Sequence, residues 1–223
     1  MKPYFETENG KLYHGDCLEI MPQLGPVDFC LTDPQYGVKR DKGFEGFEGF
    51  GGFGAPIKRR RYEDDNWDSE RPKKEVFDVM LKTAKLSMVF GGNFFADILP
   101  AGTHWIVWDK KNTMPTFGDA ELIWTNSDRK SVKIIEYTYN GLIGREKKRY
   151  HPTQKPEGLI MLILLKYAKP GWTVSDPFSG SGTLGVACER VGGHKYTLIE
   201  REEKYCEIAA KRIERETQQM KLF

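Results

Sequence analysis

One stretch limits what this chain can fold into more than any other: Ser175-Asp176-Pro177-Phe178-Ser179-Gly180-Ser181-Gly182-Thr183. An apolar run, Trp172-Thr173-Val174, precedes it, and a helix-like run from Leu184 to Arg190 follows. The order reads as strand, glycine turn, helix. Gly180 and Gly182 carry no β-carbon, so the backbone can bend tightly there and approach a ligand. A helix starting near Thr183 presents unpaired N–H groups and a positive dipole end, which suits an anionic group such as a carboxylate. Glu200 closes the next apolar run, Tyr196 to Ile199, about twenty residues on, where an acidic side chain can take two ribose hydroxyls. No Gly-Lys-Ser/Thr follows the turn, which disfavours a phosphate-cradling loop.

The rest of the chain supplies an alternating frame for that turn. Lys11 to Asp16 reads as a short strand ending in an acid, and Cys17 to Leu24 as a turn or two of helix. Val27 to Thr32 is an apolar run of strand length that ends in Asp33-Pro34-Gln35-Tyr36-Gly37. In open α/β sheets that edge is where ligands bind. A helix is expected over Glu75–Leu86, a strand over Ser87–Phe90 and a short helix over Phe94–Leu99. Strands are expected over His104–Lys110, Ala120–Trp124 and Val132–Tyr139. Glu157 to Ala168 reads as a helix buried nearly all round, and Glu202 to about Gln218 as an amphipathic one. The pattern predicts a mostly parallel α/β sheet with one irregular edge. The Trp and Phe residues between Asp68 and Tyr139 are expected in the core.

At 223 residues the chain fits a single domain, 1–223. Its opening, Met1-Lys2-Pro3-Tyr4, has no basic-then-apolar pattern, and its longest apolar stretch, Leu159–Leu165, is too short to span a bilayer. Cytoplasm, with no membrane partner, is the expectation. Four cysteines and four histidines show neither metal-ligand spacing nor a disulfide framework, so no metal is expected. Net charge is only +2, but basic residues cluster at Lys39 to Lys42, at Lys58, Arg59, Arg60 and Arg61, at Lys110 and Lys111, and at Arg145 with Lys147, Lys148 and Arg149. Together they suit a phosphate-binding face. From the end of the first cluster runs a Gly-Phe repeat, residues 41–54, with neither helical nor strand period. It reads as a loop that either is a tolerated insertion or orders on nucleic acid.

Asp33-Pro34-Gln35-Tyr36 is the stretch that suggests a reaction. An exocyclic amine of adenine or cytosine is a poor nucleophile, because its lone pair is spread into the ring. Two acceptors gripping its N–H bonds would localise that lone pair: the Asp33 carboxylate and the Pro34 carbonyl, whose direction the ring fixes. Tyr36 offers a face to stack the base. This is positioning and electrostatic catalysis, not covalent catalysis.

Asp33 to Tyr36 resembles the Asp-Pro-Pro-Tyr motif of the S-adenosylmethionine-dependent DNA amino-methyltransferases. Asp176 to Thr183 resembles their cofactor loop, and His151 to Pro156 the segment just ahead of it. The catalytic motif precedes the cofactor loop, as in the circularly permuted beta group, and Phe90 to Phe94 and Trp108 to Lys110 are similar to segments of phage and prophage members. The resemblance implies a Rossmann-like class I methyltransferase fold: a mostly parallel seven-stranded sheet with one antiparallel strand. It also implies S-adenosylmethionine as cofactor and double-stranded DNA as partner. Asp176, Phe178, Gly180, Gly182 and Thr183 would line the methionine part of the cofactor, with Thr153 and Lys155 near its carboxylate. Glu200 would hold the ribose, and Asp16 and Cys17 would flank the adenine. Asp33, Pro34 and Tyr36 would hold the target amine.

Gln35 stands where the motif has a second proline, which loosens the turn and adds an amide within reach of base or cofactor. An initial Asp rather than Ser favours adenine N6 over cytosine N4. The target base must leave the duplex, at a cost of a few kcal/mol. Residues 38–67 and 111–150 are the expected recognition loops. They are small, which favours a short site or help from a second copy in a homodimer. Gln219-Met220-Lys221-Leu222-Phe223 resembles the peptide by which bacterial proteins dock on the sliding clamp. The rival readings are a cytosine-N4 enzyme, an RNA amino-methyltransferase and a catalytically silent nucleic-acid-binding protein of the same fold. A small-molecule methyltransferase would need neither the Asp-Pro-x-Tyr turn nor basic loops.

Overall fold

A computed structural model describes residues 1–37, 70–111, 118–139, 150 and 154–220. Lys58 to Arg61, Lys147 to Arg149, Thr153, the Gly-Phe repeat and the last three residues of the clamp-like tail lie outside that set.

Strand and helix alternate as the hydrophobic periods require. The strands are β1 (Phe5–Glu6), β2 (Gly10–His14), β3 (Val27–Thr32), β4 (Ala84–Phe90), β5 (Trp105–Asp109), β6 (Ala120–Thr125), β7 (Val132–Glu136), β8 (Thr173–Asp176) and β9 (Lys195–Glu200). The helices are α1 (Cys17–Leu24), α2 (Lys74–Thr83), α3 (Glu157–Tyr167), α4 (Thr183–Val191) and α5 (Glu203–Met220). They form one sheet in the order β1-β2-β9-β8-β3-β4-β6-β5-β7.

The sheet carries nine strands among the described residues where seven were expected, and two of them, β1 and β6, run against the rest. The expected arrangement survives inside it. From β2 to β5 there are seven strands with β6 alone reversed, and β1 and β7 extend the two edges. The two-residue β1 forms because Tyr4 and Thr7 fold a hairpin onto β2 through Tyr4 N to Leu12 O and Thr7 N to Gly10 O.

Side-chain alternation divides the core into two layers. Phe29 and Leu31 on β3, with Met88 and Phe90 on β4, face α3, α4 and α5. Cys30 and Val89 face the opposite way, into a cluster built with Ile20 and Met21 of α1 and Val76, Phe77 and Met80 of α2. Burying a side chain such as Phe77 contributes about 1.5–3 kcal/mol. Trp108 and Trp124 are both 2% exposed, in the core as expected.

Three local expectations are corrected. Helix α2 stops at Thr83, and residues 84–86 already belong to β4, because Ala84, Leu86 and Met88 find partners on β3. The short helix expected over Phe94–Leu99 is only a 3₁₀ turn over Gly92–Phe95. Helix α3 is not buried all round. Leu159, Ile160, Ile163 and Leu164 face the core, but Leu162 and Leu165 are 42% and 67% exposed beside Ile134, because β7 ends the sheet there.

The chain reverses its direction of growth between β8 and β3. From β8 the sheet continues to β9 and β2, and from β3 to β4. Such a switch point opens a crevice at the carboxyl ends of the strands. The two motif-bearing turns leave from those two ends.

Candidate active site

Each singled-out turn begins where a parallel strand stops. Asp33 follows β3, Asp176 ends β8, Glu200 ends β9, and Asp16 follows β2 as the N-cap of α1, accepting from Leu18 N at 2.8 Å. β2 and β9 are parallel and pair His14 with Glu200, so Asp16 and buried Cys17 reach the same edge as Glu200.

The cofactor-loop candidates form a cradle fixed mainly by backbone contacts. Gly182 is left-handed, with φ 77°, and caps α4. A β-carbon there would stand 2.7 Å from Ala209 Cβ, so the close approach of α5 demands this glycine. Gly180 N donates to Glu200 Oε2 and Glu202 N to Glu200 Oε1, both at 2.8 Å. Behind the loop, Arg212 of α5 donates to the Ser181 carbonyl and pairs with Glu157 at 2.6 Å, while Ser181 Oγ donates to Gln154 at 3.2 Å. The motif reading named neither Arg212 nor Gln154.

The same cradle contains groups not fully satisfied by the protein. Ser179 Oγ is buried without a hydrogen-bond partner among the described residues. Asp176 Oδ1 accepts from Thr32 Oγ1 at 2.7 Å and from Phe178 N at 3.0 Å, and Oδ2 has no partner among the described residues. Burial pushes the Asp176 carboxyl up to about 7, against those two hydrogen bonds. The Thr32–Asp176 bond also ties the two turns together. One cleft is lined by Asp33 and Lys155 on one side and by Asp176, Phe178, Ser179, Gly180 and Thr183 on the other.

The second turn is part of a half-buried charge cluster. Tyr36 Oη lies 2.7 Å from Asp33 Oδ1 and 2.8 Å from Glu121 Oε1. Lys155 Nζ lies 2.8 Å from Asp33 Oδ1 and 2.9 Å from Glu121 Oε1, and Lys110 reaches Glu121 Oε2 at 3.1 Å. Burial raises the Asp33 pKa, opposed by Lys155 and reinforced by Glu121. Burial would raise Glu121 too, but Lys155 and Lys110 bring it down to about 2. Burial and the two carboxylates hold the Tyr36 hydroxyl well above its usual range, so it stays protonated.

Pro34 is buried and Gln35 half-buried, beside a Tyr36 ring stacked on Phe94 at 4.6 Å between centroids and 15° between planes. Gly91, with φ 63°, lies so close that a β-carbon would meet the Tyr36 ring at 2.4 Å. The structure thus places Lys155 against Asp33, in the wall between the second turn and the cradle. Lys110 and Lys111, the described members of the basic clusters, are paired with Glu121 and with Asp109 and Glu136. Among the described residues no cluster of three His, Cys, Asp or Glu could hold a metal, and no helix is long and apolar enough to cross a membrane.

Glu121 was missed from the sequence because its place depends on topology. β6 is antiparallel, so its first residues lie at the edge where its parallel neighbours end. The one available signal was an acid inside an otherwise apolar run, Ala120 to Trp124.

The chain is similar to known DNA methyltransferases in sequence and in fold. The model of the N6/N4 methyltransferase family, described as DNA methylase, matches residues 103–211, a segment holding the cofactor cradle and Glu121. The chain is similar to the type II methyltransferase M2.LlaDCHI of Lactococcus lactis subsp. cremoris, with 25% identity over 95% of this chain and 92% of that protein. It is also similar to M.HinfI of Haemophilus influenzae, with 26% identity over 89% and 67%. Among solved structures, the M1.HpyAVI–SAM complex matches with a TM-score of 0.57 and 22% identity, over 92% of this chain and 98% of that one. PvuII DNA methyltransferase, described as cytosine-N4-specific, matches with a TM-score of 0.61 and 16% identity, over 97% and 93%. The class I methyltransferase fold expected from the motifs is the fold observed.

Proposed function

We propose that this protein transfers a methyl group from S-adenosylmethionine to the exocyclic N6 of an adenine flipped out of double-stranded DNA. The observation that carries the reading is the junction of the two turns: Thr32, one residue before Asp33, donates to Asp176 at 2.7 Å across a shared cleft. The cradle residues fit the cofactor. Asp176 Oδ2 suits its ammonium, the orphan Ser179 hydroxyl and the N-terminus of α4 suit its carboxylate, and Glu200 suits its ribose. When bound, S-adenosylmethionine supplies an electrophilic methyl group.

The remaining chemistry belongs to the chain. Asp33 Oδ2, without a partner among the described residues, and the Pro34 carbonyl accept the two N–H bonds of the target amine. The amine's lone pair is then localised toward the cradle. The Tyr36 hydroxyl lies between Asp33 and Glu121, and its ring, backed by Phe94, walls the base pocket. The proton that leaves after transfer is acidic and can pass to Asp33.

The leading Asp of the motif supports adenine. The cytosine-N4 reading is kept because a structure with that printed specificity shares the fold. The test is transfer of labelled methyl to unmethylated duplex DNA, followed by nucleoside analysis. N6-methyldeoxyadenosine is expected. N4-methyldeoxycytidine would replace the base assignment, and cofactor binding without transfer to DNA would overturn the activity.

A further inference from the structure

Two half-buried carboxylates in the site share the same two donors. Asp33 Oδ1 and Glu121 Oε1 each lie within 2.9 Å of both Tyr36 Oη and Lys155 Nζ. Lys155 has three protons and can serve both acids, but the tyrosine hydroxyl has one and can serve only one at a time. Asp33 comes from the turn after β3, Glu121 from β6, Tyr36 from the turn itself, and Lys155 from the segment before α3. No motif places Glu121 there.

We infer that Glu121 is a positioning residue. It accepts the Tyr36 hydrogen bond and holds Lys155 when the target amine enters, leaving the negative charge of Asp33 to the amine. This rests on amino-methyl transfer being the activity. Without a second acceptor, the Tyr36 hydroxyl and Lys155 would both stay on Asp33 Oδ1 and draw its negative charge away from Oδ2, the oxygen that accepts the amine. Lys110, 3.1 Å from Glu121 Oε2, keeps Glu121 anchored while that exchange takes place. The electrostatics agree. Glu121 stays charged despite burial, and its charge keeps Asp33 more basic than Lys155 alone would leave it. Among the described residues, the further titratable group facing Asp33 is Asp176 on β8.

The test replaces Glu121 in the full chain and reads Asp33 directly. Carbon-13 resonances of labelled aspartate, assigned with Asp33→Asn, follow the Asp33 titration without DNA or cofactor. In Glu121→Gln the titration should move down by about one pH unit or more, because the neighbouring negative charge is gone. The turnover number should fall about tenfold or more, with cofactor affinity and KM for DNA within about twofold. Glu121→Asp should recover part of the turnover. An unmoved Asp33 titration overturns the inference, whether or not methyl transfer is detected. So does unchanged turnover, or parallel loss of cofactor affinity and melting temperature. Absence of transfer by the unsubstituted protein would remove the proposed function instead, and the titration is read independently of it.

Discussion

Asp176 is a carboxyl that the fold keeps protonated far above its usual range. It ionises near 3.8 in an unfolded chain and at about 7 in the folded one, chiefly through burial. Between those values the folded protein holds a proton that the unfolded chain has lost. Stability from this group is therefore full below about 3.8 and lost as pH rises toward 7. Denaturation profiles should show a decline across that window of up to about 4 kcal/mol, which Asp176→Asn flattens. The same carboxyl must be ionised to receive an ammonium group. Affinity for S-adenosylmethionine, measured by calorimetry, should therefore strengthen as pH rises from 6 to 8, by up to about tenfold per unit below 7. Asp28 has the opposite sign. Hydrogen bonds from Lys85 and Thr173 hold its carboxyl down at about 2, so its contribution is present above about 4 and lost as pH falls toward 2.

At the scale of elements, Asp28 does more than titrate. Its Oδ2 accepts from both Thr173 N and Thr173 Oγ1 at 2.9 Å, and Thr173 Oγ1 accepts from Asp28 N at 3.0 Å. β3 and β8 are otherwise joined in register only at Phe29–Val174 and Cys30–Ser175. Asp28→Ala should cost about 2–4 kcal/mol and lower the midpoint of urea unfolding, although the site is at the other end of both strands. The sequence made the two motif turns legible because glycine, proline and acids punctuate apolar runs there. The edges of elements were less legible. Apolar residues recur at Val79, Met80, Ala84 and Leu86 on both sides of Thr83, so only pairing with β3 decides that the helix ends there. In α3 the residues are apolar on every side, and no local signal says that Leu162 and Leu165 face outward. Glu121 shows the same limit inside the site, since its place is set by the direction of a whole strand.

Over the whole molecule, the sheet joins its halves through β3 and β8. Trp108 and Trp124 report on one wing, and Trp172, packed against the α3–α5 side of the core, on the other. If that junction transmits unfolding, near-ultraviolet circular dichroism and far-ultraviolet signals should lose structure in one coincident transition. Two separate transitions would show that the β3–β8 seam parts first. The order β2-β9-β8-β3 also has a consequence for synthesis. The strands that fill the middle are made last: Asp28 leaves the ribosome 145 residues before Thr173, its partner on β8. At ordinary translation rates that is an interval of about 7–30 s. During it β2 and β3 have no neighbour on the sides where β9 and β8 will sit, and those unsatisfied edges are open to pairing with other nascent chains. A cell making this protein in quantity would have to shield them, and yield should respond to chaperone supply more sharply than to the stability of the finished fold.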